Sequence, residues 1–155
     1  MVISLETIYI GSDHGGFELK NALINFLDKN GYKVVDLGPF EYDKDDDYPD
    51  YVEKVCKEVV EKKGLGILIC KYSHGVTIAA NKVKGIYASS CSNEESARMA
   101  KNDSCMNVLC LSGMLTSLKD AQTIVGTWLS VPFSGEERHK RRIAKIKDME
   151  KKNFK

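Results

Sequence analysis

Side chains suited to acid–base chemistry follow two apolar segments of the chain. Asp13 and His14 come after Thr7–Ile10 in a loop flanked by glycines, and Cys70 ends the segment Gly66–Cys70. A carboxylate beside an imidazole can act as a general acid or base, although an aspartate in such a loop is also a common helix cap. Cations near Cys70 and the helix that follows it favour the thiolate form, whereas the alternative is a buried, inert cysteine. The residues predict an acid–base site and leave both alternatives open.

Two further groups of polar residues lie in the C-terminal half. Asp103 precedes the apolar segment Asn107–Leu111, and we expect it near the same site because it borders a predicted strand. Residues 136–155 are strongly basic, and Arg138 and Arg142, four residues apart, share one face of a helix. Two arginines so placed can hold one phosphate through charge-assisted hydrogen bonds. This stretch is either a solvated surface helix or an arm that packs on a second subunit and offers its arginines to an anion there.

The spacing of candidate ligands predicts no metal or cofactor site. His14, His74 and His139 are far apart, and no Cys/His cluster has zinc spacing. The glycines of Gly11–Gly16 do not form a dinucleotide-binding fingerprint, and the chain has no P-loop. The five cysteines are an odd number without a C-x-x-C pair, which is typical of reduced cytosolic thiols. We therefore expect a cytoplasmic protein without metal, cofactor or disulfide framework.

Composition excludes several classes of protein. The chain has 155 residues, of which 43% are hydrophobic, so it can bury one core without covalent staples. The net charge of +1 argues against nucleic acid or an anionic membrane as the main partner. No apolar run approaches the ~20 residues of a membrane span. A soluble, single-domain protein is expected.

Five apolar segments that alternate with helical patterns must position the candidate residues. The predicted strands are Thr7–Ile10, Tyr32–Leu37, Gly66–Cys70, Gly85–Ser90 and Asn107–Leu111. The helical patterns start near Phe17, Pro49, Val76, Asn93 and Leu118, and a charged terminal helix is predicted over Gly135–Lys151. Such alternation is typical of a parallel sheet, because a right-handed helical crossover joins parallel neighbours.

The predicted fold class is therefore α/β: a Rossmann-like three-layer αβα sandwich with a five-stranded parallel sheet and a C-terminal helical arm. In this architecture ligands bind at the carboxyl ends of the strands. We expect one domain over residues 1–135. Residues 136–155 would form a basic helix of the same unit that packs on a partner subunit.

Read as an ordered set, these motifs resemble the ribose-5-phosphate isomerase B family, which includes the galactose-6-phosphate isomerase subunits. The resemblance extends from about Ile8 to Ile146. It rests on six blocks: Ile10–Phe17, Asp47–Tyr51, Gly66–Cys70, Ile78–Val83, Asn107–Leu109 and Pro132–His139.

The resemblance implies a metal-free and cofactor-free aldose–ketose isomerase. It would convert ribose 5-phosphate to ribulose 5-phosphate, in the non-oxidative pentose phosphate pathway, through a cis-enediolate with Cys70 as the proton-transfer base. The residues that we predict to be catalytic are Cys70, Asp13, Asp103, His74 and Thr77. The predicted substrate and phosphate contacts are His14, Ser12, Lys71, Tyr72, Gly75, Arg138, His139 and Arg142. Family sites lie between subunits, so a homodimer or homotetramer with shared sites is implied.

Three departures from the family pattern fall in the site. The family has a Gly-Thr/Ser-Gly-x-Gly turn after the cysteine, whereas here residues 71–75 read Lys-Tyr-Ser-His-Gly. Lys71 and Ser73 make the same anion-binding nest harder to form, and Tyr72 could fill the pocket. A His-Asn pair of the family, implicated in ring opening, aligns with Asp103-Ser104, and a phosphate-binding arginine aligns with Met114.

These departures allow two functional interpretations. In the first, the chain is still a sugar-phosphate isomerase, in which His74 replaces the ring-opening histidine and Lys71 supplies positive charge to the enediolate. In the second, it is a catalytically impaired member that binds sugar phosphates or serves as one subunit of a mixed assembly. The loss of one oxyanion donor typically costs about 100-fold to 1,000-fold in rate, so uncompensated changes would leave little activity.

Overall fold

A parallel five-stranded sheet organises the chain in the computed structural model, which describes residues 6–155. The strands are β1 (Ile8–Ser12), β2 (Val34–Asp36), β3 (Leu65–Cys70), β4 (Ala88–Ser90) and β5 (Val108–Ser112). Their order across the sheet is β2-β1-β3-β5-β4, and all neighbours are parallel. The predicted α/β class with a five-stranded parallel sheet is confirmed.

Six helices connect and cover the strands. They are α1 (Phe17–Lys29), α2 (Tyr48–Lys62), α3 (His74–Ala80), α4 (Glu94–Ser104), α5 (Leu118–Ser130) and α6 (Glu137–Asn153). Local chemistry explains several starts: Pro49 lies in the first turn of α2, and the side chains of Asn93 and Ser117 accept hydrogen bonds from the backbone N–H groups of Ser96 and Asp120.

Some boundaries differ from the sequence prediction. The fourth strand has three residues rather than the predicted six, because Gly85 takes a left-handed turn with φ of 89° just before it. α3 starts at His74, two residues earlier than predicted. α4 continues to Ser104, so Asp103 lies in its last turn rather than at the start of the fifth strand.

Alternating residues of the strands build two separate core layers. Ile8 and Ile10 of β1 face the same layer as Leu23 of α1 and Trp128 of α5. Tyr9 of β1 belongs to the opposite layer, under α2 and α3. In β3, Ile67 and Ile69 belong to the first layer and Leu68 and Cys70 to the second. The two-residue period of a strand therefore turns the Cys70 side chain toward α2 and α3.

Helix α6 is anchored on its own chain near its C-terminal end. The Glu150 carboxylate accepts a hydrogen bond from the Gly85 N–H at 2.6 Å and another from the Tyr87 hydroxyl at 3.2 Å. Ile146 and Met149 on the same helix are exposed. Within residues 6–155, none of the helices has both the length and the apolar character that a membrane crossing requires.

Candidate active site

The carboxyl ends of the three central strands meet at one edge of the sheet. In the strand register, Ser12 lies opposite Ile69 and Cys70 lies opposite Ser112. The loops after these strands are joined by backbone hydrogen bonds: the Asp13 N–H donates to the Ile69 carbonyl, and the Gly113 N–H donates to the Cys70 carbonyl at 2.9 Å. We call this group of loops the carboxyl-edge cluster. It brings Asp13 and Cys70 together, as the parallel topology predicts.

Two glycines let the loops of the carboxyl-edge cluster approach closely. A Cβ atom on Gly15 would lie 2.8 Å from the Lys71 backbone nitrogen, and one on Gly75 would overlap the Tyr48 ring. A side chain on Gly15 would force two loops apart, and one on Gly75 would separate the start of α3 from the start of α2. Gly75, predicted to contact substrate, therefore has a clear packing reason in this chain.

Cys70 is a buried free thiol at the end of β3, with 5% of its surface exposed. Cys110 is on the neighbouring strand but lies opposite Leu68, two residues from the partner of Cys70. A strand spacing of about 4.8 Å and a two-residue offset of about 6.6 Å put their Cα atoms about 8 Å apart. Disulfide geometry excludes Cα atoms more than about 7 Å apart without backbone movement. Cys70 is therefore not placed to form a disulfide with Cys110.

The other buried thiols differ from Cys70 in position. Burial raises the pKa of Cys56 to about 12. The pKa of Cys110 is also raised to about 12, and burial is the largest cause. Both are held in the neutral, unreactive form at neutral pH. Of Cys56, Cys70 and Cys110, only Cys70 ends a strand at the carboxyl edge. Cys91 directly follows β4 at the same edge, and burial is the main cause that raises its pKa.

The loop over residues 71–75 keeps a backbone conformation that glycine usually supplies. Ser73 has φ of 71° and ψ of −18°, in the left-handed region, and is 4% exposed. Its Oγ lies 2.7 Å from Ser90 Oγ, and its carbonyl accepts a hydrogen bond from Thr77 Oγ1 at 2.7 Å. The left-handed conformation costs an L-residue about 1–2 kcal/mol, which such hydrogen bonds offset. The loss of glycine at position 73 has not removed the left-handed turn.

Thr77 and Ser12 have less obvious chemical roles in one chain. Thr77 Oγ1 is occupied by the Ser73 carbonyl, so its contribution here is to the shape of the loop. Ser12 is 1% exposed, and its Oγ is buried without a hydrogen-bond partner among the described residues. Ser12 ends β1 at the carboxyl edge, and Thr77 lies near the start of α3, which follows the loop after β3.

Three side chains of the loop line the rim of the site. Lys71, Tyr72 and His74 are exposed, and the Lys71 ammonium lies 5.5 Å from the centre of the Tyr72 ring. This cation–π contact holds the Tyr72 ring against the Lys71 side chain, and 44% of the Tyr72 surface is exposed. Lys71 adds positive charge at the place where the family pattern has glycine.

Asp13 and His14 form a short hydrogen-bonded turn after β1. The Asp13 carboxylate accepts the Gly15 N–H at 2.8 Å and caps the 3-10 turn over His14–Gly16. Burial is the largest influence on this carboxyl and raises the pKa of Asp13, against the lowering effects of the Gly15 N–H and His14. Asp13 is thus both the cap and a perturbed acid, so the two alternatives drawn from the sequence are compatible.

Asp46 is a member of the site that the sequence did not single out. Its Oδ1 accepts a hydrogen bond from the His14 backbone N–H at 2.9 Å and lies 2.7 Å from His14 Nδ1. The hydrogen bond to Asp46 is the main reason that the pKa of His14 is raised. Asp46 is one of five acidic residues in the loop 41–47, and nothing in the pattern distinguishes it from the others.

The same three residues are the only group among residues 6–155 with metal-like geometry. One donor atom from each of Asp13, His14 and Asp46 lies within 4.8 Å of the others. His14 Nδ1 and Asp46 Oδ1 are at hydrogen-bond distance, so a metal ion would have to displace that bond. The arrangement is explained by the hydrogen bond alone.

The remaining predicted residues lie at the opposite edge of the sheet, in a group that we call the amino-edge cluster. It contains Asp103 at the end of α4 and Arg138, His139 and Arg142 at the start of α6. His139 is buried, with Nδ1 2.6 Å from Ser134 Oγ and Nε2 3.6 Å from Asp103 Oδ1.

The two clusters are separated by the length of a strand. Asp103 precedes β5, whereas Ser112, the register partner of Cys70, ends it. Four steps of about 3.3 Å along β5 put about 13 Å between the two edges. The expectation that Asp103 joins Asp13 and Cys70 within one chain is therefore not met, because Asp103 borders the amino end of its strand.

Comparisons with known proteins assign the chain to a family. A family model described as Ribose/Galactose Isomerase matches residues 8–146. The chain belongs to this family. The relative named "Probable ribose-5-phosphate isomerase B" in Mycoplasma genitalium is 43% identical over 146 residues, which are 93% of this chain and 95% of the relative.

Solved structures of the family share the fold. Ribose-5-phosphate isomerase B of Clostridium thermocellum has a TM-score of 0.90 and 44% identity over 94% of this chain and 98% of its own. The Mycoplasma genitalium enzyme with bound ribulose-5-phosphate has a TM-score of 0.91 and 42% identity over 95% and 97%. The family predicted from six sequence blocks is confirmed, and the chain is an isomerase.

Proposed function

We propose that this isomerase interconverts ribose 5-phosphate and ribulose 5-phosphate, with Cys70 as the base that carries the proton. The observation that carries the proposal is the position of Cys70 at the carboxyl end of β3, between the Asp13–His14 turn and the loop 71–75. The Mycoplasma genitalium relative with bound ribulose-5-phosphate supports the choice of substrate.

The proton transfer needs a thiolate beside the sugar carbons. In the aldose-to-ketose direction, the Cys70 thiolate takes the proton from C2, which leaves a cis-enediolate, and returns it to C1. The hydroxyl proton moves from O2 to O1, so atoms and charge balance. Backbone N–H groups of the loop 71–75, shaped by the left-handed Ser73, can hold the enediolate oxygen, and Lys71 adds charge.

Phosphate binding is assigned to the amino-edge cluster of a second copy of the chain. Arg138, His139 and Arg142 start α6 at the edge opposite Cys70, and the two edges are about 13 Å apart along β5, so we assign these residues to the site of a partner. Exposed apolar side chains near the clusters favour such contact. They are Tyr72, Ile78, Met99, Met114, Leu115, Leu118 and Ile146. A homodimer or homotetramer with shared sites follows from this assignment.

Two further assignments belong to the same proposal. Residues 136–155 act as part of the single unit, since Glu150 holds α6 to Gly85, while the start of the helix serves the partner's site. The five free cysteines, four of them buried, favour the reducing cytoplasm as the compartment of action. Metal and organic cofactors have no step in this mechanism.

Turnover of ribose 5-phosphate by the purified protein tests the proposal, with a metal chelator present throughout. We expect Cys70→Ala to lower kcat by about 1,000-fold, since loss of a general base costs 100-fold to 10,000-fold. Cys105→Ala is the matched control, because Cys105 is exposed and follows α4. Turnover by His74→Ala, measured in parallel, shows whether His74 serves in opening the sugar ring.

The alternative function makes the opposite prediction in the same experiment. If ribose 5-phosphate raises Tm while wild type and Cys70→Ala show the same background rate, the chain is a sugar-phosphate-binding member without isomerase activity. Met114, exposed where the family pattern has an arginine, is the observation that favours this alternative.

A further inference from the structure

Asp46 is buried although it lies in an acidic, exposed loop. Its side chain is 6% exposed, whereas Asp43, Asp45 and Asp47 around it are exposed. Burying a carboxylate is costly unless hydrogen bonds compensate. The hydrogen-bond partners of its Oδ1 belong to His14, 32 residues earlier in the chain, while Oδ2 is buried without a hydrogen-bond partner among the described residues.

One carboxylate oxygen fixes both the backbone and the ring of His14. Asp46 Oδ1 accepts the His14 N–H at 2.9 Å and faces ring Nδ1 at 2.7 Å. A carboxylate can only accept, so Nδ1 carries the proton in this pair. The other ring nitrogen, Nε2, is left for substrate, and the His14 side chain is 34% exposed.

Carboxylates dominate the surroundings of His14. Asp13 precedes it in the 3-10 turn, and Asp43 and Asp46 face it from the loop before α2. The Tyr42 ring approaches edge-on with its centre 6.3 Å away, and the Lys71 backbone packs on Gly15, the residue after His14. Tyr51 of α2 also lies against Asp46; burial first, and then the charge of Asp46, raise the pKa of that phenol.

We propose that Asp46 is a positioning residue that holds His14 with Nδ1 protonated and in its cationic form, so that Nε2–H presents a positive donor to the anionic sugar phosphate. The choice of substrate in this inference rests on the proposed function, whereas the contact between Asp46 and His14 does not depend on it. Asp46 touches no reacting atom, and it acts through the charge and orientation of His14.

The charge on His14 makes substrate affinity depend on pH. The Asp46 hydrogen bond raises the pKa of His14, so the cation persists above the ordinary value of 6.5. Asp46→Asn keeps the shape but removes the negative charge, which lowers the pKa of His14. The pH at which KM rises should therefore be lower in Asp46→Asn than in the wild type.

Kinetics and NMR together test this inference. At neutral pH we expect Asp46→Asn to raise KM for ribose 5-phosphate about tenfold, the equivalent of one charge-assisted contact, with little change in kcat. Asp45→Asn is the matched control, because it removes the same charge from an exposed neighbour. Equal KM–pH profiles for wild type, Asp45→Asn and Asp46→Asn would overturn the inference.

Imidazole nitrogen NMR on the wild-type protein separates this inference from the proposed function. We expect Nδ1 of His14 to be protonated and its pKa to exceed 6.5, with inorganic phosphate shifting the Nε2 resonance. A proton on Nε2 alone, or a pKa of 6.5 or lower, would contradict the role of Asp46. These NMR measurements do not depend on turnover, so the role of Asp46 could be tested even if the protein showed no isomerase activity.

Discussion

The carboxyl-edge and amino-edge clusters differ in how completely one chain builds them. At the carboxyl edge, backbone hydrogen bonds join three loops around Cys70, and the acids are buried with partners. At the amino edge, only His139 is buried, while Arg138 is exposed and pairs with Glu136 at 2.8 Å. Arg142 is exposed as well.

Under the proposed function, this difference separates chemistry built within one chain from chemistry that two chains share. The groups proposed for proton transfer lie at the ends of sheet strands, which suits a step that needs fixed geometry. The arginines project from a helix and need a ligand or a partner to fix them, because exposed pairs such as Arg138–Glu136 contribute about 0–1 kcal/mol. The proposed site, shared between subunits, would combine the fixed groups of one chain with the arginines of the other.

The largest expected effect comes from mixing two inactive variants, one altered in each cluster. Cys70→Ala and Arg142→Ala should each show low activity, because one lacks the base and the other a phosphate contact. Random exchange of subunits into dimers places one intact site in half of them, so activity should return to about a quarter of the wild-type value. The measurement is turnover after the variants are mixed under conditions that allow exchange.

The control for this experiment pairs two variants damaged in the same cluster. Cys70→Ala mixed with Asp13→Ala should recover nothing, since both residues belong to the carboxyl edge of one chain. Recovery in neither mixture would mean that each chain carries a whole site.

The left-handed backbone of Ser73 offers a test of whether the loop after β3 keeps its conformation in solution. Ser73→Ala keeps the left-handed conformation and loses the Ser90 hydrogen bond, whereas Ser73→Gly loses the bond but relieves the strain. We expect the glycine variant to be more stable than the alanine variant by about 1 kcal/mol. Urea denaturation of both variants measures the difference.

Ser90→Ala separates the contribution of the Ser73–Ser90 hydrogen bond from that of the left-handed backbone at Ser73. It removes the same hydrogen bond without changing the backbone at residue 73. Equal stability of the alanine and glycine variants at position 73 would show that the left-handed turn is not maintained in solution.

The smallest expected effect is a pH dependence of stability from His14. Its pKa is raised in the folded protein, so the stabilisation is fully present below the unfolded value near 6.5 and is lost as pH rises through the folded pKa. His14→Gln should therefore destabilise the protein more at about pH 6 than at about pH 9. Thermal unfolding at several pH values measures this, and a constant difference from wild type would contradict it.

Much of the fold was predictable because it depends on local patterns. Apolar segments separated by helical periodicity identified all five strands, and Pro49 and Asn93 marked helix starts correctly. Boundaries failed where a residue with positive φ set the backbone. Left-handed Gly85 precedes the shortened β4, and left-handed Ser73 directly precedes α3, which starts at His74. Residue patterns do not encode these backbone angles directly.

The candidate site was only partly predictable. Asp13, His14, Cys70 and the loop 71–75 were found because they follow strands whose carboxyl ends meet. Asp46 was missed because it reaches His14 across 32 residues, and its neighbours in the loop have the same charge. Asp103 was expected beside Cys70 because it borders a strand, but it precedes β5 and so lies at the amino end of that strand, whereas Cys70 lies at a carboxyl end.

The sequence by itself determined the alternation of strands and helices, the reactive residue types and the family, since all three are written in local order and spacing. Only the tertiary structure decided which acid holds His14, that Ser73 accepts a left-handed turn, and that the arginines lie a strand's length from Cys70. The physical reason is that contacts between distant segments depend on how strands register and how loops pack, and one chain's spacing does not specify either.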